Sequence, residues 1–159
     1  MAEQTPSHPD PHLLRQQGLS LSQEFSRLEG RQPRVLVSKS EDISVEEMRY
    51  MSSCMADMGF DVDLAPGNNP LEALAGQCVE NDSDVLLILG AQAMTLAQLD
   101  HLYIRLNSDC PETVCALYFS KPAAEKVLKE VEKMYRVFPE NADQQEISLA
   151  LLKLLFSNN

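Results

Sequence analysis

A chain of 159 residues, 44% of them hydrophobic, is sized for one domain around a single core with a short appendage. Its formal net charge of -11 argues against nucleic acid or an anionic membrane surface as partner, and no run approaches the ~20 apolar residues of a membrane span. The start, Met1-Ala2-Glu3-Gln4-Thr5, has neither the basic beginning nor the apolar centre of a signal peptide, so the expectation is a soluble cytoplasmic protein.

Residues 1 to about 12 carry Pro6, Pro9 and Pro11 among Ser, His and Gln, a composition expected to stay disordered. From Leu14 to Leu28 the apolar residues Leu14, Leu21, Phe25 and Leu28 recur near heptad spacing, which predicts a short amphipathic helix. That edge either packs back on the domain or docks on another chain, and Leu14, Leu21, Phe25 and Leu28 are the candidate interaction residues. The tail and helix occupy 1–31, and an α/β domain is expected over 32–159.

Beyond Arg31-Gln32-Pro33 an apolar run followed by a segment of period 3.6 repeats five times. Strands are predicted at Arg34–Val37, Asp61–Leu64, Val85–Leu89, Val114–Phe119 and Tyr135–Phe138, the third apolar throughout, as a strand covered on both faces must be. Helix starts are marked by capping-box spacing at Ser44 with Glu47, Thr95 with Gln98 and Asp143 with Glu146, and by Asn69 before Pro70 at a first helical position. This alternation implies parallel strands joined by right-handed crossovers: a three-layer α/β sandwich on a five-stranded parallel sheet of flavodoxin-like order.

In such sheets a ligand sits beyond the carboxyl ends of the strands, here at the loops after the first, third and fourth. The first loop, Ser38 to Glu47, holds no His, no Gly and no hydroxyl paired with a base. Its helix start is crowded by Asp42, Glu46 and Glu47, which complement the dipole and repel a phosphate. Glu41-Asp42 is similar to the acidic Mg²⁺ site of receiver domains, yet Leu89-Gly90-Ala91 stands where the phosphoacceptor Asp should end the third strand. After the fourth strand come Tyr118 and Phe119, two rings expected to fill the slot together. Val45, Met48, Met51, Met55 and Met58 are expected to be the inner stripe of the following helix. The histidines His8, His12 and His101 lie in the tail and on a helix away from these loops, so no catalytic residue is proposed. The cysteines Cys54, Cys78, Cys110 and Cys115 lack metal-site spacing and are expected to be reduced apolar fillers, with no metal bound.

Arg34-Val35-Leu36-Val37-Ser38-Lys39, Ala56-Asp57-Met58-Gly59-Phe60-Asp61-Val62-Asp63, Pro70-Leu71-Glu72 and Val79-Glu80-Asn81-Asp82 resemble the C-terminal cobalamin-binding domain of methylmalonyl-CoA mutase. The likeness spans about 32 to 157. In that family the cofactor's dimethylbenzimidazole tail enters the domain, and a histidine from an Asp-x-His-x-x-Gly motif binds cobalt. The resemblance places that motif on Asp42 to Glu47, with Ser44 at the histidine's position and Glu47 at the glycine's. The family's Ser-x-Leu falls on Leu89-Gly90-Ala91 and its Gly-Gly on Tyr118-Phe119. The cofactor positions are therefore Asp42, Ser44, Glu47, Leu89, Ala91, Tyr118 and Phe119. Only the aspartate is kept, and the resemblance implies a degenerate copy that binds no cofactor in the usual manner. The expected role is non-catalytic association with a mutase-type subunit or another copy of this chain. The alternative is a corrinoid carrier that binds cobalamin without a histidine ligand.

Overall fold

The computed structural model describes residues 10–67 and 70–157. Five strands, β1 (Arg34–Lys39), β2 (Asp61–Leu64), β3 (Val85–Leu89), β4 (Val114–Tyr118) and β5 (Arg136–Phe138), form one parallel sheet in the order β2-β1-β3-β4-β5. Helices α2 (Val45–Asp57), α3 (Ala73–Asn81), α4 (Leu96–Asp109), α5 (Glu125–Glu132) and α6 (Gln144–Ser157) connect and cover it. The fold is the flavodoxin-like three-layer sandwich that the strand and helix alternation implies.

Side chains alternate across the sheet and so build two cores. On one face Val35, Val37, Leu87 and Leu89 meet Met48, Met51 and Met55 of α2 and Ile147, Leu151 and Leu152 of α6. On the other, Leu36, Leu86, Ile88 and Leu117 meet Leu74 and Cys78 of α3, Leu99, Leu102 and Leu106 of α4, and Val131 of α5. All five residues of β3 are buried, as expected for the central strand.

The N-terminal segment is where sequence and structure part. Helix α1 runs Pro11–Glu29, with Asp10 as its N-cap accepting from the His12 amide at 3.1 Å, so Pro11 and His12 belong to a helix rather than a tail. Residues 1–9 lie outside the described residues. Leu14 and Phe25 are buried, Leu21 is half-buried against the first core, and only Leu28 of that edge is exposed. The contact explains the direction: α1 packs along α6, Gly18 lets the Met58 side chain approach so closely that a Cβ would lie 2.5 Å from its sulfur, and the Ser22 hydroxyl donates to the Met58 carbonyl. The interaction edge expected of Leu14, Leu21 and Phe25 is thus spent inside the chain.

Two smaller expectations also shift. Asn69 lies outside the described residues, and Pro70 opens a turn, its carbonyl accepting from Ala73, so α3 begins three residues later than Pro70 suggests. Val45, the first residue of α2, is about half exposed, whereas Met48, Met51, Met55 and Met58 are buried as the stripe requires. The capping boxes form at Ser44 with Glu47 (3.0 Å each way) and at Thr95 with Gln98 (2.8 and 3.1 Å). Asp143 accepts from the amides of Gln145 and Glu146.

Candidate functional site

The parallel register brings Lys39, Leu89, Tyr118 and Phe138 level at the carboxyl edge of the sheet. Loops from β1, β3 and β4 converge there, and the chain closes the crevice with its own atoms. The Ser40 amide donates to the Leu89 carbonyl (3.0 Å), and the Gly90 amide to the Tyr118 carbonyl (2.9 Å), extending the ladder one step past the strands. Gly90 has φ 76°, and a Cβ there would collide with Ser40 Oγ and lie 2.7 Å from Ile43 Cγ1. The β1–α2 loop is therefore folded down onto the end of β3, and Ile43 is buried in the first core.

Above this seal Gln92, in a single 3-10 turn (Ala91–Ala93), ties all three loops together. Its Nε2 donates to Ser120 Oγ at 2.6 Å and to Asp42 Oδ2 at 3.1 Å, and its Oε1 accepts from the Ser120 amide at 3.0 Å. Sequence reasoning passed over Gln92 because it looked for a charge, base or hydroxyl. A long amide three residues past a central strand, able to donate and accept at once, was the available signal.

The seven cofactor positions suggested by the family resemblance do come to this edge, in separate roles. Asp42 holds Gln92, Ser44 and Glu47 cap α2, and Leu89 and Ala91 are buried. Tyr118 and Phe119 do not share a slot, because consecutive residues of an extended chain face opposite ways. Tyr118 leans into the layer of α2 and α6, its hydroxyl donating to the Glu140 carbonyl at 3.3 Å, while Phe119 is buried among α4 and α5 side chains on the other face. Burial, then the carboxylates of Glu47 and Glu140, push the Tyr118 phenol above its ordinary pKa, so it stays protonated.

Between Tyr118, Ile43, Glu47, Met51, Leu89, Gln144 and Ile147 a cavity of about 30 Å³ remains. That is room for a water and an order of magnitude below the ~300 Å³ at which ligand clefts begin. The residues present do not fit a buried dimethylbenzimidazole tail. The Ser44 hydroxyl accepts from Glu47 N and the Ser120 hydroxyl from Gln92, while His12, bonded to Gln16, and the exposed His101 are on α1 and α4. Among the described residues no group of three or more His, Cys, Asp or Glu side chains could hold a metal ion, and no helix is long and apolar enough to cross a membrane.

The sheet order and the helices on both faces define a flavodoxin-like α/β domain. Among solved structures the chain is similar to a pilus assembly-related protein of Burkholderia pseudomallei (TM-score 0.60, 22% identity, 78% of this chain and 90% of that one). It is also similar to a response regulator of Desulfuromonas acetoxidans (TM-score 0.59, 9% identity, 80% and 99%). A cobalamin-binding protein of Desulfitobacterium hafniense aligns over 94% of this chain and 71% of that one (TM-score 0.55, 13% identity), a share that cannot be reached without α1. These likenesses concern the fold. No protein-family model matches the chain.

In sequence the chain is similar to the methylmalonyl-CoA mutase large subunit of Porphyromonas gingivalis, 39% identical over 67 residues, which are 42% of this chain and 9% of that subunit. Methylmalonyl-CoA mutase of Escherichia coli is 36% identical over 66 residues, again 9% of its length. The match therefore spans about a tenth of those proteins.

Proposed function

We propose that this chain is a cobalamin-binding-like domain that has lost the buried-tail mode of holding the cofactor. It serves as a non-catalytic association module for a mutase-type subunit or a second copy of itself. The observation that carries the reading is the 30 Å³ cavity at the carboxyl edge, closed by Ile43, Tyr118 and the capped start of α2. A histidine on cobalt has no counterpart, since Ser44 is committed to the α2 cap. With Leu14 and Phe25 of α1 buried against the domain, the surface we assign to association is the crevice face around Gln92, Asp42 and Ser120.

Sedimentation velocity tests the association. The full chain is run alone over a hundredfold concentration range and then with a methylmalonyl-CoA mutase large subunit such as that of Porphyromonas gingivalis. The reading expects a faster species in one of the two series, abolished by Gln92→Arg. A monomer throughout, with no complex, removes the association role.

The overlap of α1 and the sheet together with a cobalamin-binding protein favours a second reading. In it the chain carries cobalamin at the crevice mouth with the cofactor's own base still on cobalt. Perturbation of the corrin spectrum with the base retained, lost in Gln92→Arg, selects that reading over the first.

A further inference from the structure

Between α1, α6 and the start of β5 a groove of about 650 Å³ stays open, and its lining shares no residue with the small cavity at the carboxyl edge. That volume lies within the ~300–1,000 Å³ of small-molecule sites. The floor is apolar. Leu14 of α1 and Leu149 of α6 are buried there, Leu154 is half-buried beside them, and Leu13 stands about half exposed at the lip. The charged lining leans positive: Arg136 and Lys153, both exposed, are set against one carboxylate, Glu146, in a chain whose formal net charge is -11. The connection explains the pairing of the two cations. Helix α6 follows β5 and packs back over the sheet, so Lys153, late in α6, returns to the same groove as Arg136, the first residue of β5. Among the described residues the ion pairs involve Arg27, Arg31, Arg34, Arg105 and Lys133, and neither Arg136 nor Lys153. The guanidinium carbon of Arg136 lies 5.8 Å from the centre of the Phe138 ring, a contact that steadies the side chain without pairing its charge to a carboxylate.

We propose that this groove binds a single-chain amphiphilic anion of the fatty-acid class, with its hydrocarbon on Leu13, Leu14, Leu149 and Leu154 and its carboxylate between Arg136 and Lys153. The α6 wall from Glu146 to Ser157 is roughly 16 Å long, so the trough suits an extended chain better than a compact ring. Burying that chain removes apolar surface of both partners from water, which supplies the affinity. The head group supplies the selectivity. Arg136 offers a carboxylate a planar fork of N–H donors, and Lys153 adds a compact positive charge. A small polar anion would leave the leucine floor wet, and an uncharged hydrocarbon would leave both cations unused.

The test titrates the full chain by calorimetry with laurate below its micelle concentration, with dodecyltrimethylammonium, which has the same tail and the opposite charge, and with acetate, which has the head group alone. Laurate should bind saturably at one site, and the other two should give no saturable heat. Arg136→Gln with Lys153→Gln, both at exposed positions, should weaken laurate binding roughly two- to tenfold while leaving the urea midpoint in place. Leu13→Glu, at the half-exposed lip, should weaken it as well without unfolding the chain. The proposal is overturned by an absence of saturable laurate binding, by equal affinity for the cationic amphiphile, or by a double variant that binds laurate as the parent does. It is also overturned if the chain sediments as a dimer without ligand and Leu13→Glu dissolves that dimer, because the groove would then belong to a second copy.

Discussion

Gly90→Ala probes the closure of the crevice most cleanly, because the chain supplies its own control. Gly90 and Gly30 have nearly the same backbone, φ 76° and 77°, but a Cβ on Gly30 meets nothing within 4 Å, whereas one on Gly90 meets Ser40 Oγ and Ile43. Each substitution incurs the left-handed strain of an L-residue, ~1–2 kcal/mol, and each gains the same entropy of a stiffened unfolded chain, which cancels in the comparison. Only Gly90→Ala adds overpacking, ~1–3 kcal/mol, since the loop is pinned by the Ser40 to Leu89 hydrogen bond and by buried Ile43. Gly30→Ala should therefore cost about 1–2 kcal/mol and Gly90→Ala about 2–5 kcal/mol. In urea, with a slope of ~1–3 kcal/mol per molar, the Gly90 variant should unfold roughly 1 M earlier than the Gly30 variant. Equal midpoints would mean that the β1–α2 loop does not lie on β3, and the closed-crevice account would fail with it.

Three further outcomes follow from the same contacts. Gln92→Ala removes hydrogen bonds to Asp42 and Ser120 and should cost about 1–3 kcal/mol while raising amide exchange in 40–44 and 119–121 by mass spectrometry, with β3 unchanged. The Tyr118 phenol, raised in the folded chain, contributes stability that is complete below pH ~10 and declines as pH rises through its folded value. Tyr118→Phe should thus flatten the fall in urea midpoint above pH 10, and identical slopes would contradict the burial of that ring. Asp84→Ala strands Arg31, which gives the carboxylate two hydrogen bonds at 2.7 and 3.0 Å, and the Arg34 amide at 2.8 Å. The expected cost is about 1–3 kcal/mol, or a melting temperature lower by roughly 3–10 °C, with Asp84→Asn recovering part.

Much of this fold was legible because its signals are local. β2 and β3 fall where the apolar runs put them, and the Ser44 and Thr95 boxes form as spaced, since strand periodicity and N-capping depend on residues a few positions apart. The destination of the α1 edge was not legible. Leu14 and Phe25 have the same spacing whether they meet α6 or another protein, and the glycine at 18 that admits Met58 shows its purpose only in three dimensions. At the crevice the sequence names the right loops and misassigns their contents. Tyr118 and Phe119, adjacent in the chain, were expected in one slot, yet extended backbone sends them to opposite layers. The fastening of the three loops rests on Gln92, whose partners are 50 and 28 residues away.

Whether a corrin can enter is decided by titrating the purified chain with adenosylcobalamin and hydroxocobalamin while recording the visible spectrum. With Ile43, Met51 and Tyr118 around a space of about 30 Å³, the spectra should remain those of free cofactor with its base on cobalt up to the highest protein concentration. A saturable, stoichiometric shift to the base-displaced form at micromolar protein would show that the cofactor's tail finds room in this domain, against everything the closed edge implies.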